Sequence, residues 1–391
     1  MAVNLTNADS ALKTYYLDAV AEQLNFNVNP FLAAVKQTSE DVWGKEVRKL
    51  AIHGINGGIG AGTEDGSLPT ASGNDYAQFV TTLKNLYGTI EISDKAVRAS
   101  ENNTGAFVNL LNAEMEGLIK SSSYNMGRML FGDGSGVLAT VMMCGTNNVA
   151  VDNTRNLIEG MIIDFRDENG NLIEGATGRK ILKVNRVDHD FTFSGAAVSR
   201  ELIPECSLIT IQGSYENEIT GLGAIFSSNR STLYGLNKSE CSWLTPYVKT
   251  DVGEINELEL QKAIDMIEKN GGGSVNFIMC SWGVRRALQK VLSVNKCVDV
   301  TELAGGYKAM TYNGIPIVVD RFCPEGTMYL LNTDDFALHQ LCDWQWLEGD
   351  DGKVLKQIPG KPVYSATLVK YADLICSRPC GQGMLTGITE K

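Results

Sequence analysis

The apolar positions of this 391-residue chain change period several times, and each change marks an element. Leu12, Tyr15, Tyr16, Ala19, Val20 and Leu24 recur at helical spacing behind Asp9 or Ser10 as cap. Asn29-Pro30 ends that pattern, because a residue before proline is pushed out of the helical region. Too short for a core of its own, this segment predicts an arm that packs on something else. Residues 47–52 and 76–86 read as strands. Gly54 to Gly62, followed by Thr63-Glu64-Asp65-Gly66-Ser67-Leu68-Pro69, joins them as a long glycine-rich hairpin. Isolated two-stranded ribbons are marginal in water, so the hairpin is expected to rest on a neighbouring subunit.

The strongest helical pattern comes next. Thr104 caps it, Phe107, Leu110, Leu111, Met115, Leu118, Ile119, Met126, Met129 and Leu130 carry it, and Gly132-Asp133-Gly134 stops it. Its length from Thr104 to Phe131 corresponds to roughly 42 Å, long enough to serve as the spine of an elongated subunit. From 135 to 215 the pattern turns to short strands, at 161–165, 180–187, 191–193 and 208–211. Turn signals at Glu168-Asn169-Gly170 and Ser194-Gly195 separate them, as in a small barrel or sandwich.

An α/β stretch follows, with a helix marked by Ile255, Leu258, Ala263, Ile264 and Ile267 and ended by Gly271-Gly272-Gly273. A strand at 275–279 leads to a second helix capped by Ser281, and strands at 315–319 and 328–331 complete the stretch. Residues 336–375 alternate as strands around a turn at Glu348-Gly349-Asp350-Asp351-Gly352. The fold class is α+β.

Composition narrows the function. The length exceeds what one core usually fills, so two or three domains are expected. Lys plus Arg number 34 against 46 Asp plus Glu, and the resulting net charge of −12 repels phosphate at long range. Basic residues form only short pairs, Arg48-Lys49 and Arg285-Arg286, which argues against tight nucleic-acid binding. The amino terminus has neither a basic flank nor an apolar core for a secretory signal. The longest apolar runs, such as 137–144, fall far short of the roughly 20 residues of a membrane span. A soluble protein made inside a cell is expected. Nine cysteines follow no framework spacing and read as reduced thiols; Cys376 and Cys380 have no second pair or nearby histidine to complete a metal site.

Catalytic signatures fail one by one. His53, His189 and His339 are isolated in sequence from nucleophilic or metal-type partners. The glycine run 54–62 is followed by loop rather than by the helix a phosphate cradle needs. Ser135 has Asp133 and Val137 where a nucleophile elbow needs glycines. A calcium loop centred on Gly170 would place Phe165 and Ala176 at its end ligands. No catalytic, cofactor-binding or metal residue is assigned, and the chain is not expected to be an enzyme.

Four segments point to a family. They are Asn29-Pro30-Phe31; Tyr87-Gly88-Thr89-Ile90-Glu91-Ile92-Ser93-Asp94; Asn313-Gly314-Ile315-Pro316-Ile317-Val318-Val319-Asp320-Arg321; and Gly326-Thr327-Met328-Tyr329-Leu330-Leu331-Asn332. With the order of elements, they resemble the major capsid proteins of tailed bacteriophages of the Hong Kong 97 type. The resemblance implies an N-terminal arm at 1–45, an E-loop at 46–88, and a peripheral domain with the spine helix at 89–134. It further implies a β-rich insertion at 135–215, an axial domain at 216–335, and a return to the peripheral domain and C-terminus at 336–391. The insertion departs from the minimal family pattern.

The resemblance also implies a structural subunit that assembles with itself into hexamers and pentamers of an icosahedral virion capsid in the bacterial cytoplasm. A scaffolding protein and a portal would be its partners, and double-stranded DNA would be enclosed without sequence-specific binding; no membrane and no cofactor are involved. Gly57, Gly58, Glu64, Gly66, Leu68 and Pro69 of the E-loop are the expected inter-subunit contacts. Lys84 and several asparagines are present, but none maps to a cross-linking pair. Two alternatives stay open: a bacterial cargo compartment of the encapsulin kind, and an enzyme whose site is assembled from distant residues.

Overall fold

In the computed structural model, which describes residues 29–95, 104–294, 300–302, 308–348 and 354–390, Asn29 caps a short helix. Its side-chain oxygen accepts a hydrogen bond from the Leu32 amide at 3.0 Å, and Pro30 occupies the first turn of Pro30–Ala34, where a missing N–H costs nothing. Phe31 packs edge-on against Phe336, and the following strand, Lys36–Thr38, pairs in parallel with Ala337 to His339. The amphipathic pattern expected at 9–24 lies outside the described residues.

Two sheets share the segment read from sequence as one strand at 76–86. Asp75–Thr82 pairs with Glu46–His53 in a hairpin, whereas Lys84–Ser93 pairs over ten residues with Val363–Cys376. The chain changes sheets at the buried Leu83. Val363–Cys376 also pairs with Phe336–Trp346 on its other side, which makes it the central strand of a five-stranded sheet.

The helix expected from Thr104 to Phe131 is present as Thr104–Phe131. It lies close to this sheet at Gly88, where a Cβ would come within 2.8 Å of the Leu118 side chain. Met115, Ile119, Met126 and Leu130 bury their side chains in the largest core, shared with that sheet.

A closed six-stranded barrel is inserted after the long helix. Its strands run in the order Asp190–Phe193, Asn148–Val151, Val137–Cys144, Leu208–Ile211, Ile162–Arg166, Arg179–Asn185. Closure leaves no unpaired edge, and a separate core of Phe165, Phe191 and Phe193 with surrounding aliphatic residues fills the interior. After the barrel, a short helix not foreseen from sequence, Leu222–Phe226, packs against the end of the long helix. Gly221 sits where a Cβ would meet the Met129 carbonyl at 2.4 Å.

The third unit is a seven-stranded mixed sheet ordered Tyr247–Lys249, Gly383–Leu385, Met328–Leu331, Phe277–Cys280, Ile315–Val319, Lys308–Tyr312, Val300–Glu302. Helices Glu257–Gly271 and Trp282–Val294 accompany it. Asn256 caps the first through the Glu259 amide at 2.9 Å, and Gly272, in the left-handed region at φ 63°, ends it. Gly383–Leu385 places the chain's last strand in this sheet, so the 336–391 segment is divided between two sheets rather than returning wholly to the first. The Gln382 side chain fixes that crossing, accepting from the Asn332 amide at 2.9 Å and donating to Asp335 at 3.0 Å.

Candidate inter-subunit surface

The hairpin built from Glu46–His53 and Asp75–Thr82 carries apolar residues on both faces, but only one face is covered. On the inner face, Val47 and Phe79 are buried. Phe79 packs 5.3 Å from the Tyr234 ring and 5.7 Å from the Trp243 ring, and His53 stacks on Trp243 at 5.0 Å. On the outer face, Leu50 and Ile52 stand exposed beside Tyr76, the register partner of Ile52. A strand with both faces apolar is a strand that expects cover on both.

The root of the hairpin is held firmly. The Val80 amide donates to the Tyr234 carbonyl at 3.0 Å, and the Thr81 hydroxyl donates to Asp373 at 2.5 Å. Asp373 is fully buried in the central strand and also accepts from the Thr220 and Leu374 amides. Burial pushes its carboxyl above the usual range despite these bonds. Lys84 donates to the Glu216 carbonyl at 3.0 Å, so its amine is a local tether beside the root.

The tip is the opposite. Gly57, Glu64, Gly66, Leu68 and Pro69 are exposed and Gly58 is half-buried, all within the 54–74 connection between the two strands. Leu68 is 90% exposed, Ile55 79% and Ile59 76%. The two legs nevertheless lie close together: a Cβ on Gly57 would meet Ser72 at 3.3 Å, and one on Gly60 would meet Pro69 at 3.2 Å. The Gly66 amide closes the turn by donating to the Thr63 carbonyl at 3.0 Å. The glycines thus let the connection close as a narrow ribbon instead of a slack loop. Sequence reasoning had picked the glycines and the tip. It missed Leu50, Ile52, Tyr76, Ile55 and Ile59, whose signal was the run Val47-Arg48-Lys49-Leu50-Ala51-Ile52, apolar on both parities.

No family model matches the sequence, and no curated protein matches it. Among solved structures, the chain of the Cyanophage A-1(L) capsid asymmetric unit superposes with a TM-score of 0.54. The match covers 94% of this chain and 92% of that one at 13% identity. The fold is that of a phage capsid protein. The holo-SrpI encapsulin complex from Synechococcus elongatus PCC 7942 aligns with TM-score 0.46 at 10% identity, over 93% of this chain and 89% of that one. The capsid of Myoviridae Phage XM1 aligns with TM-score 0.45 at 9% identity, over 90% of each.

The residues weighed for chemistry are not brought together. His339 is buried against the Glu40 carbonyl, 2.9 Å from Nδ1, and burial lowers its pKa. His189 sits at φ 52° in the turn between two barrel strands. Asp167 closes a turn, its carboxylate accepting from the Asn169 and Asn171 amides, which hold it below its ordinary pKa together with the Asn171 side chain. Burial raises the thiols of Cys376 and Cys380.

Proposed function

We propose that this protein is the major shell subunit of a tailed-phage head, assembling with itself into hexamers and pentamers of an icosahedral capsid. The observation that carries the reading is the hairpin: a firmly rooted ribbon whose outer face and tip hold exposed Leu50, Ile52, Ile55, Ile59, Leu68 and Tyr76. Burying one such side chain is worth about 1.5–3 kcal/mol, so a neighbour that covers several supplies a substantial association energy. The subunit acts as a structural element without catalytic residues or cofactor. Its net charge of −12 suits a wall that encloses double-stranded DNA without gripping it. Assembly takes place in the bacterial cytoplasm with a scaffolding protein and a portal as partners.

Replacing residues 54–74 by a short turn tests this reading. The shortened protein is expected to keep its fold, since the root contacts remain, and to lose the ability to form shells, read by sedimentation against the full chain. Shells formed as readily by the shortened protein would overturn it.

A further inference from the structure

Basic residues far apart in the sequence are gathered by the fold around one side chain, Tyr124 of the long helix. The guanidinium groups of Arg321, Arg128, Arg186 and Arg155 all lie within electrostatic reach of its phenol and oppose the rise in pKa that burial causes. Arg128 is neutralised by its ion pair with Glu218. The other three have no carboxylate partner among the described residues, and neither does Lys120, one helical turn before Tyr124. In a chain of net charge −12 this is a local excess of positive charge. Like charges held together repel unless an anion offsets them.

The cluster edges a groove of about 780 Å³ where the long helix, the strand Lys84–Ser93, the barrel and the turn after Ile315–Val319 meet. Lys120 and Arg321 line it, and both are exposed. The Arg321 guanidinium lies 5.0 Å over the Tyr124 ring and 5.4 Å over that of Phe322, which fixes its plane. None of its N–H donors has an acceptor among the described residues, so the fork is free for oxygen ligands. The Nε of Arg155, which lines an adjoining cleft that shares Phe322, is buried and likewise without a partner. Arg186 donates to the Thr154 and Leu157 carbonyls at 3.1 and 3.2 Å, so it adds charge rather than a contact. The one carboxylate lining the groove, Glu159, accepts from the Val184 amide at 3.1 Å.

We infer that this groove binds a phosphate group, held by Lys120 and the fork of Arg321 within the positive field of Arg155 and Arg186. A planar guanidinium matches two phosphate oxygens at once, and the ammonium beside it supplies a third, movable donor. Because Arg155 and Arg186 belong to the barrel and the other two cations to the helix and the turn, a bound phosphate also draws the insertion onto the body of the subunit. Two sources carry this chemistry: the phosphodiester backbone of DNA, and free phosphate or pyrophosphate. A patch of four cations gives only a weak foothold on DNA, in keeping with a chain that lacks the broad basic face of a tight binder. The inference goes beyond the shell-subunit reading and does not rest on it, since binding is measured on dispersed subunits.

Titration of the purified full chain with pyrophosphate and, separately, with a short fluorescent DNA duplex tests the site. Pyrophosphate is expected to bind saturably by calorimetry and to raise the melting temperature. Lys120→Ala with Arg321→Ala should weaken that binding about tenfold or more through loss of two charge-assisted contacts. Arg321→Lys keeps the charge, loses the fork and should fall between. Arg48→Ala with Lys49→Ala, a basic pair on the hairpin, should bind as the parent does. Lys120 and Arg321 are exposed, so the unliganded variants should melt with the parent; Arg321→Lys carries the test if the double variant does not fold.

Duplex binding that pyrophosphate displaces, with a salt slope lowered by about 2 in the Lys120, Arg321 variant, identifies the DNA backbone as the source. Pyrophosphate binding without duplex binding identifies free phosphate. No saturable binding of either probe, or equal weakening by the groove pair and the hairpin pair, would overturn the site. Loss of binding leaves the shell reading standing, and a chain that forms no shells leaves the site standing.

Discussion

The Thr81 hydroxyl donates to the carboxylate of Asp373 at 2.5 Å, and this bond joins the root of the hairpin to the central strand of the five-stranded sheet. The same carboxylate takes the Thr220 amide at 2.7 Å, so one buried side chain ties together the hairpin, the central strand and the chain leaving the barrel. Thr81→Val is expected to lower stability by about 1–3 kcal/mol, the cost of leaving a buried acceptor short of a donor. Asp373→Ala should cost more, because the Thr220 amide loses its partner as well. Chemical denaturation measures both, and limited proteolysis should show faster cleavage within 46–82 in either variant.

Two glycines of the long helix should respond oppositely to the same substitution. A Cβ on Gly117 has open space around it, so Gly117→Ala gains the helix preference of alanine, about 0.5–1 kcal/mol. A Cβ on Gly127 would lie 2.5 Å from the Phe322 ring, which is buried between the helix and the seven-stranded sheet. Gly127→Ala should therefore destabilise by about 1–3 kcal/mol through overpacking. Thermal melts of the two variants side by side decide it, and equal shifts would contradict the packing described.

How much of this was legible in sequence depended on whether one period governed a segment. The long helix was read to the residue because Thr104, the glycine stop at 132–134 and a single 3.6-residue pattern agree. Four of the six barrel strands were placed within a residue or two because turns punctuate them, whereas Val137–Cys144 and Asn148–Val151 were not singled out as strands. The strand break at Leu83 was missed, although burial slips phase there: Phe79 and Leu83 are buried on odd positions, Leu86, Ile90 and Ile92 on even ones. Asn29-Pro30 was read only as the end of the pattern before it, and its second use was passed over: asparagine as cap and proline in the first turn also suit the start of a helix, here Pro30–Ala34. The glycine-rich tip was visible in sequence, but the exposed apolar Ile55 and Ile59 within it were passed over, because the run of glycines dominates the pattern there.

Arg128 and Glu218 form a two-pronged ion pair, each side chain 3% exposed, that fastens the long helix to the chain leaving the barrel. Arg128→Met alone is expected to cost about 3–5 kcal/mol by leaving a buried carboxylate without a partner, whereas Arg128→Met with Glu218→Leu should recover much of that loss. A double-mutant cycle in urea reads the difference. A double variant as weak as the single one would mean that the pair matters for packing alone.

Asp320 ends the strand Ile315–Val319, and burial pushes its carboxyl up to about 6 against the Phe322 amide bond and the Arg321 charge, which lower it. The folded state therefore holds a proton that the unfolded chain releases near pH 4, and stability falls as pH rises between about 4 and about 6. Above that window the full cost remains, on the order of 3 kcal/mol for two pH units. Asp320→Asn removes this dependence. Its stability advantage over the parent should grow from pH 4 to pH 6 and then level off; an advantage that is independent of pH would contradict the assignment.

The central claim is that the hairpin and the exposed apolar surface it carries are completed by copies of the same chain in a closed shell. Electron microscopy of the purified full chain, with and without its scaffold, tests this most directly. The expected images show closed icosahedral particles built of hexamers and pentamers, with each hairpin lying across the adjacent subunit. Monomers persisting under every assembly condition, or particles in which the hairpin contacts no neighbour, would contradict it.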